Sequence, residues 1–404
     1  MIRAGRFRPI LPALAVLGAT PGLAQLTIHA DFWLSGRKAD ALGDGLNYWA
    51  GSYLARHGHY GVLFDPVSYG AWFARHFGSQ AHAWSYSPDY LLFVMGLSLF
   101  PPLAGVLIFS ISSCLALWAS LRAVPLSLAA RLAVLASPAA LTSVGGGQNG
   151  ALLGSLLIGG LFLADTYPVL GGALIGLATI KPQLGLLIPF YWLASGRWRA
   201  LASAAISAII LTLLSLAVFP HGVWPDFLHK VTPFMAHLGE ELVLKTQNGP
   251  RAMIASMLSM ACQFGAGIKL ASALQLVSTA LAVGTSIWLG RCRMLPETFR
   301  LAWLLALGPL ATPYIWCYDL IPASCGLALL LAGLPRLTPP VLIFLGLAWV
   351  TPGVALFAAV LGLPTFMPLW LWLGLGCWLF AWGKQQPFLN EHFQHPGPHG
   401  KGTA

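Results

Sequence analysis

The chain has 404 residues, of which 57% are hydrophobic and only 8% charged, and its formal net charge is +10 at pH 7. A water-soluble domain carries about 25% charged residues, so this composition excludes an ordinary soluble protein and indicates helices within a lipid bilayer. A nucleic-acid-binding protein would need a basic stripe with interleaved aromatic residues on a soluble face, and the sequence has none.

The basic residues lie mainly in short connections between apolar segments, which is the positive-inside pattern of cytoplasmic loops. They are Arg3, Arg6, Arg8, Arg122, Arg131, Arg197, Arg199, Arg291, Arg293, Arg300, Arg336 and Lys384. The period-two alternation of a membrane barrel is absent. We therefore predict an all-α polytopic membrane protein with roughly 10–13 transmembrane helices and both ends in the cytoplasm.

The N-terminal stretch "MIRAGRFRPILPALAVLGATPGLAQ" has the basic start and apolar core of a secretory signal, but also suits an uncleaved first helix, which we favour. Residues 29–87 follow as a long polar loop, in which four basic and four acidic residues balance. Unlike the short basic connections, this first loop is expected on the outer, periplasmic face.

Apolar segments then alternate with short connections up to residue 383, and we treat residues 1–383 as one transmembrane domain. The segments lie at 89–120 (broken at Pro101–Pro102), 127–143, 148–165, 168–180, 182–195, 198–219, 269–290, 297–312, 318–333, 340–361 and 366–383. A second periplasmic loop is predicted at 220–250, followed by a short segment at 251–265. Residues 384–404 read as a polar, unstructured cytoplasmic tail.

With the arginine-rich connections inside, several polar turns are expected together on the outer face. They carry Asp44, the "GGGQNG" sequence at 145–150, Lys181 and the "ATPYIWCYD" sequence at 311–319. Polar residues are costly in a membrane protein and tend to mark function, so this convergence predicts a single site.

Asp44 lies in "GDGLNYWAG", four residues before Tyr48. An aspartate at this position is either a helix N-cap, for which Asp is a favoured residue, or a general base that removes a proton from a hydroxyl. On a helix the spacing puts Asp44 and Tyr48 one turn apart on the same face.

The next two features also have a structural and a functional interpretation. The glycines of "GGGQNG" either start a helix or leave N–H groups that meet an anion or sugar, with Gln148 and Asn149 as amide donors. Lys181, within "GLATIKPQLGLL", either extends to the lipid–water interface or contacts a lipid-linked phosphate, and we favour the phosphate.

Four histidines of the first loop, His57, His59, His76 and His82, form only weak evidence for a metal site. We expect no metal and no cofactor. His82, beside "WSYSP", is the better candidate for a sugar contact.

Taken together, these motifs resemble glycosyltransferase family 87, membrane enzymes of the C-type glycosyltransferase fold in bacteria. "DGLNY" at 44–48 resembles the family's D-x-x-x-Y, "YSP" at 86–88 its Y-P-P, and "GGGQNGALL" its G-Q-x-N/G turn. "GLATIKPQLGLL" is similar to the family's G-L-A-x-x-x-K-x-x-P, and "ATPYIWCYDL" to its S-P-x-S-W-x-H. The chain departs from the last pattern, since Tyr318 and Asp319 stand where the family has histidine.

The resemblance implies transfer of a hexose or pentose from a polyprenyl-phosphate donor to a hydroxyl of a glycolipid or glycan. Mannose is the first candidate for the sugar. The resemblance also implies an inverting reaction at the periplasmic face of the bacterial inner membrane, with Asp44 as general base. Lys181 would contact the phosphate, and the other expected sugar or phosphate contacts are Tyr48, His82, Tyr86, Gln148, Asn149, Tyr318 and Asp319. The main competing hypothesis is a multi-pass transporter or flippase of a lipid-linked sugar, and a non-catalytic membrane scaffold is a third.

Overall fold

A computed structural model describes residues 10–78, 83–244 and 250–394 of the chain. These residues form helices joined by turns, and within them no strand occurs, only an isolated antiparallel bridge between Ile254 and Trp316. The predicted all-α polytopic membrane architecture is confirmed.

The longer helices are numbered here in chain order. They are α1 Ile10–Leu34, α2 Gly45–Arg56, α3 Pro66–Phe77, α4 Pro102–Leu121, α5 Leu128–Leu135, α6 Pro138–Gly145, α7 Gly150–Leu163, α8 Pro168–Leu177, α9 Leu187–Ser195, α10 Trp198–Val218, α11 Thr232–Leu244, α12 Met257–Gln263, α13 Ile268–Arg291, α14 Glu297–Leu307, α15 Ile321–Gly333, α16 Pro339–Leu361 and α17 Met367–Gln394. Shorter helical pieces are Lys38–Ala41, Tyr60–Leu63, Pro88–Tyr90, Leu91–Val94, Leu97–Leu99, Ala178–Ile180, Pro182–Gly185, Val223–Asp226, Phe227–Val231, Pro250–Met253, Gly308–Leu310 and Cys317–Asp319.

Among the described residues, fewer helices than the predicted 10–13 are long and apolar enough to span a bilayer. In the described part of the chain, four helices are long and apolar enough to cross a bilayer, namely α4, α10, α13 and α16. A fifth span results if α5 and α6, bent by 43° at their junction, count as one. Other predicted spans are short, because proline and glycine end helices. The segment at 182–195, for example, begins with a separate turn at Pro182–Gly185 before α9.

The described residues of the two predicted polar loops are largely helical. Helix α1 continues to Leu34, and the described residues of the first loop that follow it lie largely in short helices. Several of its aromatic side chains are fully buried, among them Tyr48, Tyr69 and Trp84. Aromatic residues bury the largest area per side chain, and these three belong to the main hydrophobic core of the protein. The predicted unstructured tail is helical as far as Gln394, the end of α17.

Glycines allow α8 and α10 to approach closely. A Cβ atom on Gly172 would lie 2.2 Å from the carbonyl oxygen of Ala200, and one on Gly176 would lie 2.4 Å from that of Ala204. This four-residue spacing of small residues is typical of helix contacts in membranes, where close backbone approach replaces the hydrophobic effect. It fixes α8, and with it the position of Lys181 shortly after its end.

Helices α7, α8, α9 and α14 run between two groups of polar side chains. One group lies around Asp44 and is described below. The other, which we call the Arg197 cluster, consists of Asp165, Tyr191, Arg197, Glu297 and Arg300. Because α7 has 14 residues and an α-helix rises 1.5 Å per residue, the two groups are separated by about 21 Å along this helix.

Candidate functional site

Two glycine-rich turns meet backbone to backbone and bring distant parts of the sequence together. The Asp44 N–H donates to the carbonyl of Gly146, with an N–O distance of 3.0 Å. Gly147 has φ +66°, and a Cβ atom there would lie 2.6 Å from the nitrogen of Gly45. Only glycine meets both conditions, since other residues disfavour positive φ. The turns "GDGLNY" and "GGGQNG" are therefore built to fit each other.

Asp44 is the residue before helix α2, but it does not cap that helix with its side chain. Its φ and ψ, −69° and −12°, are helical, and its side chain accepts no capping hydrogen bond. A capping residue has an extended backbone and accepts from the first turn of the helix. The half-buried carboxylate instead accepts a hydrogen bond from Nε2 of Gln148.

Gln148 connects Asp44 to a tyrosine on the next turn of α2. Its Oε1 accepts a hydrogen bond from the Tyr48 hydroxyl at 3.3 Å, while its Nε2 donates to Asp44. The two contacts together orient the amide, because only the NH₂ group can donate to a carboxylate. Asp44 and Tyr48 therefore share one polar connection, on the common helix face that the sequence predicted.

Tyrosines continue this network away from Asp44. The Tyr48 and Tyr86 hydroxyls are 3.0 Å apart, and the Tyr86 and Tyr90 rings lie 4.4 Å from centroid to centroid. Burial raises the pKa of both Tyr48 and Tyr86 above the ordinary value of tyrosine, because an ionised phenol would lose its hydration. Both hydroxyls therefore stay neutral at physiological pH and act as hydrogen-bond groups rather than bases.

Asn149, next to Gln148, is fully buried. Its Nδ2 donates to the Tyr90 hydroxyl at 3.5 Å, whereas its Oδ1 has no hydrogen-bond partner among the described residues. Asn149 precedes α7 without capping it through its side chain. A buried acceptor without a partner is uncommon in folded proteins.

Lys181 turns into the protein rather than out toward the bilayer surface. Its Nζ lies 2.7 Å and 2.8 Å from the two carboxylate oxygens of Asp319, and 5.2 Å from the centre of the Tyr318 ring. The Lys181 side chain is 12% exposed and that of Asp319 is fully covered. The backbone N–H of Trp316 also donates to Asp319, at 3.2 Å. The carboxylate is thus fixed by both the lysine and the turn.

Gly150 joins the Asp44 half of the site to the Lys181 half. A Cβ atom on Gly150 would lie 2.0 Å from the carbonyl oxygen of Tyr318, so the start of α7 packs directly on the turn that carries Asp319. The Tyr318 ring is stacked on that of Trp316, with an interplanar angle of 4°. We call the assembled group the Asp44 cluster: Asp44, Tyr48, Tyr86, Gln148, Asn149, Lys181, Tyr318 and Asp319.

The family model for glycosyltransferase family 87 matches residues 84–313, more than half of the chain. The chain belongs to glycosyltransferase family 87. The match includes Tyr86, Gln148, Asn149 and Lys181 and begins after Asp44, which the fold brings into contact with Gln148. No curated protein and no solved structure matches the chain.

Membership of family 87 and the apolar spanning helices together make this protein a membrane glycosyltransferase. Such an enzyme takes a sugar donor and an acceptor. In the described ranges, no group of three or more His, Cys, Asp or Glu side chains is placed to hold a metal ion. His82, the predicted sugar contact, lies outside the described residues.

Two features of this glycosyltransferase were not predicted from its sequence. The Tyr69 hydroxyl donates to Oδ1 of Asn47, whose Nδ2 in turn donates to the carbonyl of Ala83 at 3.4 Å, so the segment before Tyr86 is tied to α2. The sequence feature that could have predicted this connection is Asn47, a polar residue directly before Tyr48. The second feature is the Arg197 cluster, in which Arg197 contacts Asp165 and Glu297, 32 and 100 residues away in the chain.

Proposed function

We propose that the protein transfers one sugar, mannose first among the candidates, from a polyprenyl-phosphate donor to a hydroxyl of a glycolipid or glycan. The reaction would take place at the periplasmic face of the bacterial inner membrane. Family membership supports sugar transfer, and the apolar helices support a substrate held at a membrane. The resemblance of the motifs to family 87 supports the lipid-linked donor.

The carboxylate of Asp44 is the observation that carries the proposal. An acceptor hydroxyl must lose its proton as it attacks the anomeric carbon, and a carboxylate within hydrogen-bond reach can accept that proton. Asp44 is half-buried, makes no capping hydrogen bond and is oriented by the neutral amide of Gln148. The amide donates to one carboxylate oxygen and so orients the group toward an incoming hydroxyl.

Lys181 supplies the positive charge for the phosphate that leaves. As the bond between the anomeric carbon and the phosphate oxygen breaks, its electron pair stays on that oxygen, and a nearby ammonium stabilises the charge. In this arrangement Asp319 positions the lysine rather than contacting the sugar, since its covered side chain already holds Nζ with both oxygens. Tyr318, Tyr86 and the amides of Gln148 and Asn149 are the proposed contacts of the sugar.

The proposed reaction inverts the anomeric configuration. The acceptor oxygen forms its bond to the anomeric carbon on the face opposite the phosphate, and its proton goes to Asp44. A retaining double displacement would instead need a second carboxylate about 5 Å from the first to act as nucleophile. Asp319 does not suit that role, because both its oxygens are bonded to Lys181. We propose no metal or cofactor for any step.

A panel of donors tests the proposal. Membranes containing the protein are incubated with radiolabelled polyprenyl-phosphate sugars, one at a time, and the lipid and glycan products are separated. We expect one of the donors, with the mannose donor as the first candidate, to give a labelled product. The anomeric configuration of the transferred sugar should be opposite to its configuration in the donor. Label from a nucleotide sugar alone, or retention of configuration, would contradict the proposed donor or mechanism.

The sidedness is tested separately with an impermeant thiol reagent on intact cells. Val67, on α3, is 77% exposed and Trp198, beside the Arg197 cluster, is 62% exposed. The six native cysteines are buried or half-buried, so the background is low. We expect Val67→Cys to react in intact cells and Trp198→Cys only after the membrane is broken. The reverse pattern would place the Asp44 cluster in the cytoplasm.

A further inference from the structure

A cavity with a volume of about 550 Å³ lies beside the Asp44 cluster. It is enclosed by the end of α1, the short helix Lys38–Ala41, the end of α3 and the start of α4. Asp44 does not line it, and neither do the other members of the Asp44 cluster. The size suits a lipid headgroup, since small-molecule sites measure roughly 300–1,000 Å³.

The cavity has an excess of positive charge. Of its described lining residues, Arg37 and Lys38 are cations and Asp40 is a carboxylate, while His76 adds a further basic side chain. Nε of Arg37 is 2.8 Å from the Asp40 carboxylate, yet the Arg37 side chain remains 59% exposed. Lys38 lies 5.5 Å above the ring of Trp33. An anionic ligand would therefore meet two cations and one carboxylate.

The position of the cavity relates it to both the membrane and Asp44. Pro102 and Leu103 on its wall are the first residues of α4, a helix that spans the membrane by length and composition, so the cavity lies at headgroup level. Leu42 and Leu46, which line another part of the wall, are each two residues from Asp44. Since consecutive Cα atoms are 3.8 Å apart, the Asp44 backbone is within about 8 Å of that wall.

We propose that this cavity binds the phosphate-bearing headgroup of an anionic membrane lipid, and that this lipid is the acceptor whose hydroxyl reaches Asp44. The identification of the acceptor rests on the proposed function. Arginine and lysine are the side chains that pair with phosphate, through the bidentate guanidinium and the compact ammonium. The apolar parts of Trp33, Phe77 and Leu103 would face the glycerol and the start of the acyl chains.

Binding is measured on the purified full-length protein with fluorescent phosphatidylglycerol, phosphatidylcholine of the same chain length, and inorganic phosphate as competitor. We expect a preference for phosphatidylglycerol that weakens about tenfold or more in Arg37→Gln/Lys38→Gln, as expected for the loss of two cations near a lipid surface. Asp40→Asn should strengthen binding, because it removes the carboxylate that pairs with Arg37. Arg75→Gln, an exposed cation on α3 outside the cavity, is the matched control and should leave binding unchanged.

Equal binding of the two lipids, or an unchanged affinity in the double variant, would overturn the proposal. Displacement of phosphatidylglycerol by inorganic phosphate at the same concentration would show a free-phosphate site instead, which also overturns it. The binding measurement contains no sugar donor. The result of the binding measurement is therefore independent of whether the protein transfers sugar.

The charge of the labelled product tests whether the bound anionic lipid is the acceptor. Labelled product, first separated from the unreacted polyprenyl-phosphate donor, should be retained on an anion-exchange column, and its yield should fall in Arg37→Gln/Lys38→Gln but not in Arg75→Gln. A neutral labelled lipid would overturn the acceptor role. If no donor yields label while the charge-dependent binding is present, the proposed transfer fails and the lipid site remains.

Discussion

The Asp44 cluster and the Arg197 cluster lie at opposite ends of the same helices, yet their charges are arranged differently. In the Arg197 cluster, Arg197 contacts Asp165 at 2.8 Å and also Glu297, and Glu297 contacts Arg300. The Tyr191 hydroxyl donates to Glu297 at 2.9 Å. Two guanidinium groups and two carboxylates balance, and each carboxylate has a cation as partner.

In the Asp44 cluster the two carboxylates outnumber the single ammonium. Lys181 is bonded to Asp319, and Asp44 is oriented by the amide of Gln148. A balanced group of ion pairs fixes helices relative to one another. We propose that the Arg197 cluster stabilises one end of the bundle and that Asp44 accepts a proton at the other.

Apart from changes at Asp44 itself, Lys181→Gln should have the largest effect on the rate. Without the ammonium, the leaving phosphate loses its stabilisation, and we expect transfer to fall by about 10²–10³-fold, as when an oxyanion donor is removed. The variant also leaves the covered carboxylate of Asp319 without its cation, at a cost of roughly 3–5 kcal/mol in stability.

A double variant separates these two effects. Lys181→Gln/Asp319→Asn removes both charges, so the melting temperature should recover while transfer stays low. Lys181→Arg keeps a cation and should keep part of the activity. If the double variant recovers transfer together with its melting temperature, Lys181 has only a structural role.

Gln148→Glu should have an intermediate effect. The change replaces the amide donor by a second carboxylate next to Asp44, and two carboxylates in contact cannot both ionise at neutral pH. We expect the rate at pH 7 to fall about tenfold and the acidic limb of the pH–rate profile to move to higher pH. Gln148→Ala is the control that removes the amide without adding charge. A profile unchanged in position for Gln148→Glu would show that Asp44 does not control it.

Glu297→Gln should change the rate least. It removes the charge shared by Arg197 and Arg300 but leaves a side chain of the same shape, so stability should fall by about 1–2 kcal/mol. Turnover of the folded protein should remain within twofold, measured on detergent-purified protein at a temperature below its transition. A loss of turnover as large as that of Lys181→Gln would remove the distinction between the two clusters.

The features of the molecule that could be predicted from the sequence are those with a local physical cause. Charge content predicts the membrane, and the spacing of Asp44 and Tyr48 predicts a shared helix face, which α2 provides. The length of the spans did not follow, because the mean apolarity of a segment does not show where a turn such as Pro182–Gly185 interrupts it.

The pairings within the site did not follow either. Asp44 and Gln148 are 104 residues apart, and Lys181 and Asp319 are 138 apart, so only the packing of the helices decides which side chains meet. The sequence indicated that Lys181 and Asp319 belong to one face but not that they bond to each other. Tyr318 and Asp319 stand where the family pattern has histidine. The bond between Asp319 and Lys181 is a physical reason for a carboxylate at this place.

A comparison of two aspartates decides whether Asp44 is the base. Asp44→Asn and Asp165→Asn remove one carboxylate from each cluster while keeping its shape, and both are assayed for single-turnover transfer and melting temperature in the same preparation. We predict a loss of about 10²-fold or more for Asp44→Asn at an unchanged melting temperature, and near-native transfer for Asp165→Asn. Near-native transfer by stable Asp44→Asn would contradict the assignment of Asp44 as the base.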